Sequence, residues 1–491
     1  MPMKTIKICF IFLFSLILFA QEQHVSDTNI SLPQYRWVDQ SGEPSWELHL
    51  LLTKIEEDNT LLCKDRLNKE IDKLKEALDS KQEACVIERL ANSVEESYWH
   101  ILNCGCFAPQ YFLEKNFLPP HKSLIKKEFD SPILARLYGA LEKYERLARE
   151  ADDWEPIELE DIVYLLPGSS NEAVGKIRKR LALEGFYHCH KEEDLNASLY
   201  DNELVEAVKD FQRHHGLKDD GVVGPMTLDA MNEPLEHKIA RIKINIERAR
   251  WFVQPDDFFV FVDIPGFFMQ VYDHGRAIFE SKVIVGRKER PTPQMRNLIS
   301  YCVLNPYWHA PKTILKEDII PSLKKRDFGH LKKEGIIVST DAYGKEVVKF
   351  EDVDWEYFDE KNIPFTFLQK PGPNNFLGYV KFMFPNRFDV YLHDTNARNL
   401  FRYSYRALSS GCVRVKKPIE LLHLFLNRQK EIDYRDILDR LWTQRTQRIR
   451  IRPNIPVYLL YLSVWMDECG EVYFYPDVYG LDKKMLASLR Q

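Results

Sequence analysis

The hydrophobic positions in the first third of the chain repeat with the spacing of an α-helix. Between Leu67 and Leu78, four apolar residues recur at intervals of three and four, with Lys and Glu among them. This pattern is typical of a helix with one apolar face. Residues 84–104 and 132–148 follow it too. Nothing here indicates chemistry, so residues 21–159 are predicted to form a helical scaffold or interaction domain.

A second helical unit covers residues 160–234. Two helical stretches, 174–183 and 201–215, each end at a glycine, which is a common helix stop. A turn rich in glycine, residues 219–225, leads into a short third helix. The pattern predicts a compact three-helix module, followed by a linker helix within residues 235–257.

From residue 258 the hydrophobic period changes to that of β-strands. Runs of β-branched and aromatic residues are separated by turn residues, and they lie at 258–264, 268–272, 281–286, 299–304, 378–384 and 389–393. Repeated short strands favour a sandwich or a barrel. We assign this mostly-β domain to residues 258–435 and a C-terminal extension that packs on it to residues 436–491.

A charged insertion interrupts the β-domain at about residues 311–374. It is rich in Lys, Glu and Asp, with helix signals at 316–325. Because such a length is unusual for a loop inside a compact domain, the insertion is predicted to be a capping sub-domain or a lid over a site. The expected fold class is therefore multidomain α+β, with a helical N-terminal scaffold, a three-helix module and a mostly-β sandwich or barrel.

The first 20 residues resemble a secretory leader. Lys4 and Lys7 precede an apolar run, residues 8–19, which ends before Ala20. A run of about 12 residues is short for a bilayer span, so residues 1–20 are predicted to be a signal peptide, with an uncleaved anchor as the alternative. No later stretch predicts a second span, and we expect no stable membrane span after cleavage.

Composition narrows the function classes only a little. The formal net charge of -6 argues against a general nucleic-acid binder. Nine cysteines are present, and the eight outside the leader are compatible with disulfides in an exported chain. No Cys-x-x-Cys pair supports a thioredoxin-like or zinc-ribbon site, and the disulfide pattern stays open.

The strongest chemical candidate is Cys412, in the run Ser-Ser-Gly-Cys-Val-Arg. A cysteine nucleophile needs a base, donors for an oxyanion and a lowered pKa. Gly411 allows a sharp turn, and its N–H could line an oxyanion hole; Ser410 is assigned to the same catalytic turn. Arg414 could bind a substrate carboxylate or favour the thiolate.

The candidate base is His393, which ends a strand-like run and titrates near neutral pH. Tyr391 should share its strand face and line the site. Further candidates for substrate binding are Trp308, Tyr307 and Arg406. Trp308 and Tyr307 could equally well be core packing residues. Arg406 could equally well form an ordinary surface ion pair.

Several segments of the β-domain carry the motifs of one known family, and they are Ile284-Val285-Gly286, Arg290-Pro291-Thr292-Pro293, Asn305-Pro306-Tyr307-Trp308, Tyr391-Leu392-His393-Asp394-Thr395 and Ser409-Ser410-Gly411-Cys412-Val413-Arg414-Val415. With them, residues 258–435 resemble the L,D-transpeptidase (YkuD) catalytic domain. Asn396 and His309 depart from the family's pattern, and they affect substrate detail only.

The three-helix unit resembles the peptidoglycan-binding type 1 domain. The matching residues are Gly168, Ile177, Leu181, Phe211-Gln212, Gly216-Leu217, Asp220 to Pro225 and Thr227. This resemblance implies attachment to cell-wall glycan or stem peptide. The arrangement of modules is similar to that of the long Gram-negative YcbB-type members of the family.

The resemblance implies a reaction in two steps. Cys412 attacks the third-residue carbonyl of a tetrapeptide stem and releases D-Ala, and an amine of a neighbouring stem then takes the acyl group to form a 3→3 cross-link. His393 serves as general acid and base. The family needs no metal or organic cofactor, is acylated by carbapenems and acts in the periplasm or cell envelope.

Other classes stay open. In cell-wall hydrolases of the NlpC/P60 kind the cysteine usually precedes the histidine, which is the reverse of the order here. Water as acceptor would give an L,D-carboxypeptidase, and a non-catalytic peptidoglycan-binding protein is a further alternative. A zinc peptidase is disfavoured, because only His188-Cys189-His190 is suggestive and no His-Glu-x-x-His occurs. The acceptor amine and the oligomeric state are not predicted.

Overall fold

The computed structural model describes most of the chain, namely residues 35–39, 41–106, 131–151, 154–160, 162–188, 195–252, 256–429 and 434–489. The predicted leader, residues 1–20, and the cluster at Cys189 and His190 lie outside these residues. The chain divides into two compact units. One contains the described residues up to Glu56 with Lys69–Glu95, and the other contains Glu57–Asn68 with the described residues from Glu96 onward.

The amino-terminal region is helical, as its sequence pattern predicts. Its helices are α1 (Trp46–Glu57), α2 (Lys64–Asp79), α3 (Ala84–Cys104) and α4 (Pro132–Glu150). Leu67, Ile71 and Leu74 of α2 are buried, whereas most charged residues between them are exposed. A disulfide joins Cys63 to Cys106, a pairing that the sequence had left open.

The predicted three-helix module is present as α5 (Ala173–Glu184), α6 (Asn202–His214) and α7 (Pro225–Asn232). Asp201 caps α6, because its side chain accepts a hydrogen bond of 2.9 Å from the N–H of Leu204. The apolar faces of the helices form one core, which contains Val174, Ile177, Leu181, Leu204, Val208 and Phe211.

The predicted linker helix is α8 (Leu235–Phe252), and it lies in the core rather than on the surface. The sequence showed one apolar face, but polar side chains on the other faces are buried too. The ammonium of Lys238 lies 2.6 Å from a carboxylate oxygen of Glu184 on α5, and both side chains are fully buried. Arg248 is bound in the same way by Asp482. Because these charges are paired, the helix can be enclosed on nearly all sides.

Strands dominate the part of the chain after residue 256. They are β1 (Phe258–Asp263), β2 (Phe268–Asp273), β3 (Arg276–Gly286), β4 (Met295–Leu304), β5 (Trp308–His309), β6 (Ile337–Ser339), β7 (Val347–Val348), β8 (Thr366–Gln369), β9 (Val380–Met383), β10 (Leu392–His393), β11 (Ala407–Ser409), β12 (Val413–Val415), β13 (Gln447–Leu460), β14 (Val464–Met466) and β15 (Val472–Phe474).

In the described part of the chain, nine of these strands form one sheet in the order β11-β3-β12-β10-β9-β4-β13-β1-β2. Since β2 also pairs with β3, the sheet closes on itself, in agreement with the predicted sandwich or barrel. Apolar residues from alternating positions fill its interior, among them Val260, Val285, Cys302, Phe382, Leu392, Val413 and Val457. The helices α12 (Pro418–Gln429) and α13 (Tyr434–Trp442) follow in the chain.

The C-terminal extension does more than pack on the mostly-β domain, and the predicted boundary at residue 435 divides the sheet. Strand β13 lies between β4 and β1, antiparallel to the first and parallel to the second. After it come the hairpin of β14 and β15 and the helix α14 (Leu481–Leu489). Ile449, Ile451 and Val457 of β13 are buried, so the closed sheet depends on residues that the sequence assigned to an appendage.

The charged insertion is a sub-domain with its own sheet, as predicted. Strands β5, β8, β6 and β7 pair in that order, so the sub-domain already begins at Trp308. Between β5 and β6 lie α9 (Lys312–Ile314), a π-helical turn (Leu315–Ile319), α10 (Ile320–Lys324) and α11 (Phe328–Lys333). A separate core holds it together, and this core includes Leu323, Phe328, Val338, Phe350, Trp355 and Phe367. We call this region, residues 308–377, the capping sub-domain.

Candidate active site

A cavity of about 1000 Å³ lies between the closed sheet and the capping sub-domain. The residues predicted from the sequence that line it are Cys412, His393, Tyr391, Arg414, Trp308 and Ser410. The opposite wall comes from the capping sub-domain, including Ile314, Glu317 and Asp318. The cavity therefore collects six of the nine predicted site residues.

Strand pairing explains why the thiol and the imidazole lie on the same side of the sheet. Strand β10 pairs with β12 in parallel, so that His393 lies opposite Arg414 and Leu392 opposite Val413. Side chains alternate along a strand, so Cys412 and Arg414 share the sheet face of His393. Leu392 and Val413 point to the other side, into the apolar core. The thiol and the imidazole are thus diagonal neighbours on one face.

The backbone fixes the tautomer of His393. Its Nδ1 is in hydrogen-bond contact with the carbonyl oxygen of Asp394, so Nδ1 carries the proton and Nε2 is left as the acceptor. The carboxylate of Asp394 is engaged elsewhere, since it accepts from the N–H of Tyr379 at 2.9 Å and pairs with Arg398 at 2.6 Å. Asp394 therefore orients the imidazole through its carbonyl group and not through its side chain.

Both members of the pair are neutral near pH 7. Burial, and then the positive charge of Arg414, lowers the pKa of His393 to about 3. Burial raises the pKa of Cys412 to about 11, although Tyr391 and Arg414 pull it down. The thiol Sγ lies 3.6 Å from the carbonyl oxygen of Asp389, which it faces as a donor. The charge of Arg414 lowers the pKa of this thiol, but burial outweighs it.

The turn that carries Cys412 is held by buried hydrogen bonds. Gly411 has φ +112°, a backbone region that residues with a side chain rarely adopt. Its N–H donates to Oγ of Ser409 at 3.1 Å, and Ser409 donates in turn to the carbonyl of Cys412 at 2.6 Å. Because the Gly411 N–H is already used inside the turn, this arrangement argues against the predicted oxyanion role of that group.

A second layer of contacts supports the turn from below. The hydroxyl of Thr292 donates to the carbonyl of Gly411 at 2.7 Å and accepts from the N–H of Gly286 at 2.8 Å. The hydroxyl of Tyr479, which follows β15, donates to the carbonyl of Gly286 at 2.5 Å and accepts from the N–H of Thr292 at 3.2 Å. The C-terminal extension therefore reaches the turn of Cys412 through two buried hydroxyl groups.

The turn is also tied to the capping sub-domain. The guanidinium of Arg290 donates to Oγ of Ser410 at 3.2 Å and to Asp318 at 2.8 Å, and it pairs with Glu317 as well. The Arg290 side chain is only 8% exposed, while the two carboxylates are about half exposed. Ser410 itself is exposed in the cavity, so its visible role is to receive this arginine.

Three predicted site residues do not line the cavity. Gly411 lies in the wall behind the thiol, and Tyr307 contacts the rings of His309 and Tyr343 instead. Arg406 is buried, and its guanidinium donates to four backbone carbonyls, those of Phe267, Val283, Tyr403 and Ser404. With its donors so used, Arg406 is a structural brace and is not placed to bind a substrate carboxylate.

Sequence reasoning did not name Lys381, Ser409, Thr292 or Tyr479 as site residues, although Ser409 and Thr292 lie within the segments that resemble the family. Lys381 lies directly opposite His393 in the pairing of β9 with β10, and its ammonium is 5.3 Å from the centre of the Tyr391 ring. A lone lysine within an otherwise apolar run was the available signal. The other three act through hydroxyl groups, which neither composition nor periodicity distinguishes from ordinary packing residues.

Two general features complete the description. No helix in the described part of the chain combines the length and apolar character that a membrane crossing needs. Across the same residues, no group of three His, Cys, Asp or Glu side chains is arranged to hold a metal ion.

Comparison with known proteins identifies two domains. Residues 257–431 match the family model of YkuD, the L,D-transpeptidase catalytic domain, and residues 170–231 match a putative peptidoglycan binding domain. A putative L,D-transpeptidase of Haemophilus influenzae is 37% identical over 50% of this chain and 48% of its own length. An N-acetylmuramoyl-L-alanine amidase of Mycobacterium tuberculosis is 40% identical over 13% of this chain and 18% of its own length.

Solved structures of similar proteins include two L,D-transpeptidases. That from Xylanimonas cellulosilytica is 17% identical, with a TM-score of 0.19, over 62% of this chain and all of its own. That from Stackebrandtia nassauensis is 15% identical, with a TM-score of 0.24, over 60% of this chain and 94% of its own. These matches are to a YkuD L,D-transpeptidase catalytic domain preceded by a peptidoglycan-binding domain, and the chain spans about half the length of the Haemophilus relative.

Proposed function

We propose that this protein is an exported L,D-transpeptidase that forms 3→3 cross-links between peptidoglycan stem peptides through a thioester on Cys412. The observation that carries this proposal is the placement of Cys412 and His393 on one sheet face and in one cavity. The two matching domains support peptidoglycan as the substrate class.

In the first step, Nε2 of His393 takes the thiol proton, and the thiolate attacks the carbonyl of the third residue of a tetrapeptide stem. Because the pair rests in its neutral form, proton transfer has to accompany attack, and the pKa of about 3 limits the lifetime of the imidazolium. The imidazolium then protonates the amine of D-Ala, which leaves, and the thioester remains on Cys412.

The oxyanion of this step needs donors. Within the described residues, the N–H of Cys412 makes no hydrogen bond, whereas that of Gly411 is used by Ser409. We therefore assign the Cys412 N–H to the oxyanion in place of the Gly411 N–H. Arg414 and Lys381 add positive charge beside the thiol and favour the anion as it forms.

In the second step, an amine of a neighbouring stem attacks the thioester. His393 accepts the proton of the incoming amine, and the thiol of Cys412 is regenerated. Water in place of the amine would give the carboxypeptidase product, and the product analysis below separates the two. No step of this scheme uses a metal or an organic cofactor.

The proposal that the protein is exported is supported by the leader-like residues 1–20 and by the disulfide between Cys63 and Cys106. Disulfides persist in oxidising compartments such as the periplasm. The peptidoglycan-binding domain supports the same location, because its ligand lies in the cell envelope.

The decisive measurement is the intact mass of the protein after incubation with meropenem and, separately, with a disaccharide tetrapeptide. Wild type is expected to gain one acyl adduct, and Cys412→Ala none. Cys469→Ala is the matched control, because Cys469 is a free and exposed cysteine that does not line the cavity. Muropeptide analysis of the tetrapeptide reaction should then show 3→3 dimers.

Each outcome has one meaning. If wild type forms no adduct and no dimer, the protein is a non-catalytic binding protein. An adduct that persists in Cys412→Ala would place the nucleophile elsewhere. Tripeptide without dimer would identify water as the acceptor and make the enzyme an L,D-carboxypeptidase.

A further inference from the structure

The outer face of the closed sheet carries several cationic side chains in line with His393. Strand pairing places His393 opposite Lys381, Lys381 opposite Val303, and Val303 opposite Arg448. Directly paired residues point to the same side of a sheet, so these four side chains share one face. In the next row on the same face, Arg450 lies opposite Tyr301.

The arginines of β13 lie on the solvent side of the strand and not in the core. Arg448, Arg450 and Arg452 are exposed, while Ile449 and Ile451 between them are 5% and 1% exposed. The strand thus turns its apolar side chains inward and three guanidinium groups outward. The guanidinium of Arg448 lies 3.7 Å from the centre of the Tyr301 ring, which holds it flat against the sheet.

These cations have no carboxylate to neutralise them. Among the described residues, no ion pair includes Lys381, Arg448 or Arg450. The chain as a whole carries a net charge of -6, so an unpaired positive row is a local property of this face. An anionic ligand would complement it, and guanidinium groups bind carboxylates through paired hydrogen bonds.

The length and direction of the row identify the kind of anion. Neighbouring strands are about 4.8 Å apart, so three strand spacings place Arg448 about 14 Å from His393. An extended peptide of four residues covers about the same distance. The row therefore suits a short peptide that carries several carboxylates and has one end at the catalytic histidine.

We propose that Lys381, Arg448 and Arg450 form a track that binds the free carboxylates of the acceptor stem peptide. This inference rests on the proposed function, since it names the path by which the second substrate reaches the thioester. The donor stem occupies the cavity beneath the capping sub-domain, and the acceptor lies along the outer face of β9, β4 and β13. Its amine then meets the thioester beside His393.

The test measures acyl-enzyme formation and transfer to the acceptor separately, in wild type and in the double variant Arg448→Gln/Arg450→Gln. Formation of the acyl-enzyme from a disaccharide tetrapeptide should stay within about twofold of wild type, because the donor cavity is untouched. Transfer to an acceptor tetrapeptide at low concentration should fall about tenfold, the loss expected for one charge-assisted contact. An acceptor with amidated carboxylates should react slowly and equally with both proteins.

Two control variants make the result specific. Arg448→Lys/Arg450→Lys keeps the charges and should retain most of the transfer rate. Arg89→Gln/Arg276→Gln removes two exposed arginines from other places in the chain and should transfer like wild type. A change in the last variant would show that net charge alone matters, which overturns the track.

Further outcomes are equally decisive. Unchanged transfer to the free-carboxylate acceptor in Arg448→Gln/Arg450→Gln overturns the proposal. Loss of binding to phosphatidylglycerol vesicles with unchanged transfer would reassign the face to the membrane surface. If wild type forms no acyl-enzyme, the proposed function fails, and equilibrium binding of the acceptor to Cys412→Ala then decides the track alone. About tenfold weaker binding after the glutamine substitutions supports it, and equal binding overturns it.

Discussion

The two walls of the cavity are held in place by different physics. On the sheet side, the turn of Cys412 rests on neutral hydrogen bonds from Ser409, Thr292 and Tyr479, all of them buried or nearly so. On the other side, the capping sub-domain is bound to Arg290 through the half-exposed carboxylates of Glu317 and Asp318. The bond lengths are similar, but the surroundings are not.

The difference decides what each wall can do. A buried hydrogen bond that is broken leaves polar groups that water cannot reach, at a cost of about 1–3 kcal/mol for each group. A half-exposed ion pair is replaced by hydration and contributes about 0–1 kcal/mol. The turn of Cys412 is therefore held firmly, whereas the contact between Arg290 and the capping sub-domain can be broken at little cost.

Thr292→Val should have the largest effect on the sheet-side wall. This change keeps the shape of the side chain but leaves the carbonyl of Gly411 and the N–H of Gly286 without their partner. We expect a loss of about 2–4 kcal/mol in the free energy of unfolding and an acylation rate lower by about 100-fold. Urea unfolding and the rate of the meropenem adduct measure the two effects.

Thr292→Ser is the matched control, because it retains the hydroxyl and should stay within about 1 kcal/mol of wild type. If Thr292→Val acylates as fast as wild type, the turn is not held by this contact. The rigid wall would then have to be explained by packing alone.

The pH dependence of stability reports on the same wall. Burial lowers the pKa of His393 to about 3 from an ordinary value of 6.5, so the unfolded state binds more protons between these two values. The stabilisation is complete above pH 6.5 and is lost as the pH falls towards 3. By pH 4 we expect a loss of about 2–3 kcal/mol that is absent in His393→Gln. Chemical unfolding at pH 4, 5.5 and 7 measures it, and parallel profiles of the two proteins would contradict it.

The position of these buried groups also marks the limit of sequence reasoning. Helices α2 to α8, most strands and the insertion followed from periodicity and turn residues, whereas the choice of Cys412 and His393 rested mainly on the family resemblance. The placement of β13 did not, because the pattern of a strand contains no information about which neighbours it pairs with. The role of Tyr479 could not be predicted for the same reason. Its hydroxyl accepts a hydrogen bond from the N–H of Thr292, which is 187 residues away in the sequence.

Arg406 shows the opposite error. An arginine near a catalytic cysteine is a natural candidate for binding carboxylates, and the sequence assigned it that role. Its four carbonyl partners come from three separate segments of the chain, and only the folded structure brings them together. The residue type and its closeness to Cys412 in the sequence therefore suggested a carboxylate ligand for Arg406, but they could not show that its donors are used by backbone carbonyls.

A smaller effect is expected for Tyr479→Phe. The hydroxyl of Tyr479 contacts Gly286 and Thr292, so it acts on the turn of Cys412 indirectly. We expect a loss of about 1–2 kcal/mol in unfolding free energy and an acylation rate lower by about tenfold. Tyr473→Phe is the control, because the hydrogen bond that its hydroxyl makes within the described residues is to Asp467, nearer the surface. Equal acylation rates in the two variants would show that the C-terminal extension does not position the turn.

The smallest effect should come from the other wall, in Arg290→Gln. Its removal leaves Glu317 and Asp318 half exposed, where water can hydrate them, so the loss in unfolding free energy should be under about 1 kcal/mol. Acylation should change by about twofold to threefold, and 0.5 M NaCl should narrow the gap to wild type, because salt screens the pair. Thermal and urea unfolding at two salt concentrations measure this.

The reverse change should cost more than Arg290→Gln, and this asymmetry tests the explanation itself. Glu317→Gln/Asp318→Asn leaves the guanidinium of Arg290, 8% exposed, with only Oγ of Ser410 and the neutral amides as partners. A cation that loses its carboxylates away from water is penalised more than carboxylates that lose their cation in water. If the two variants cost the same, the capping sub-domain is held by packing and not by this pair. The turn of Cys412 and the capping sub-domain would then differ only in how deeply their contacts are buried.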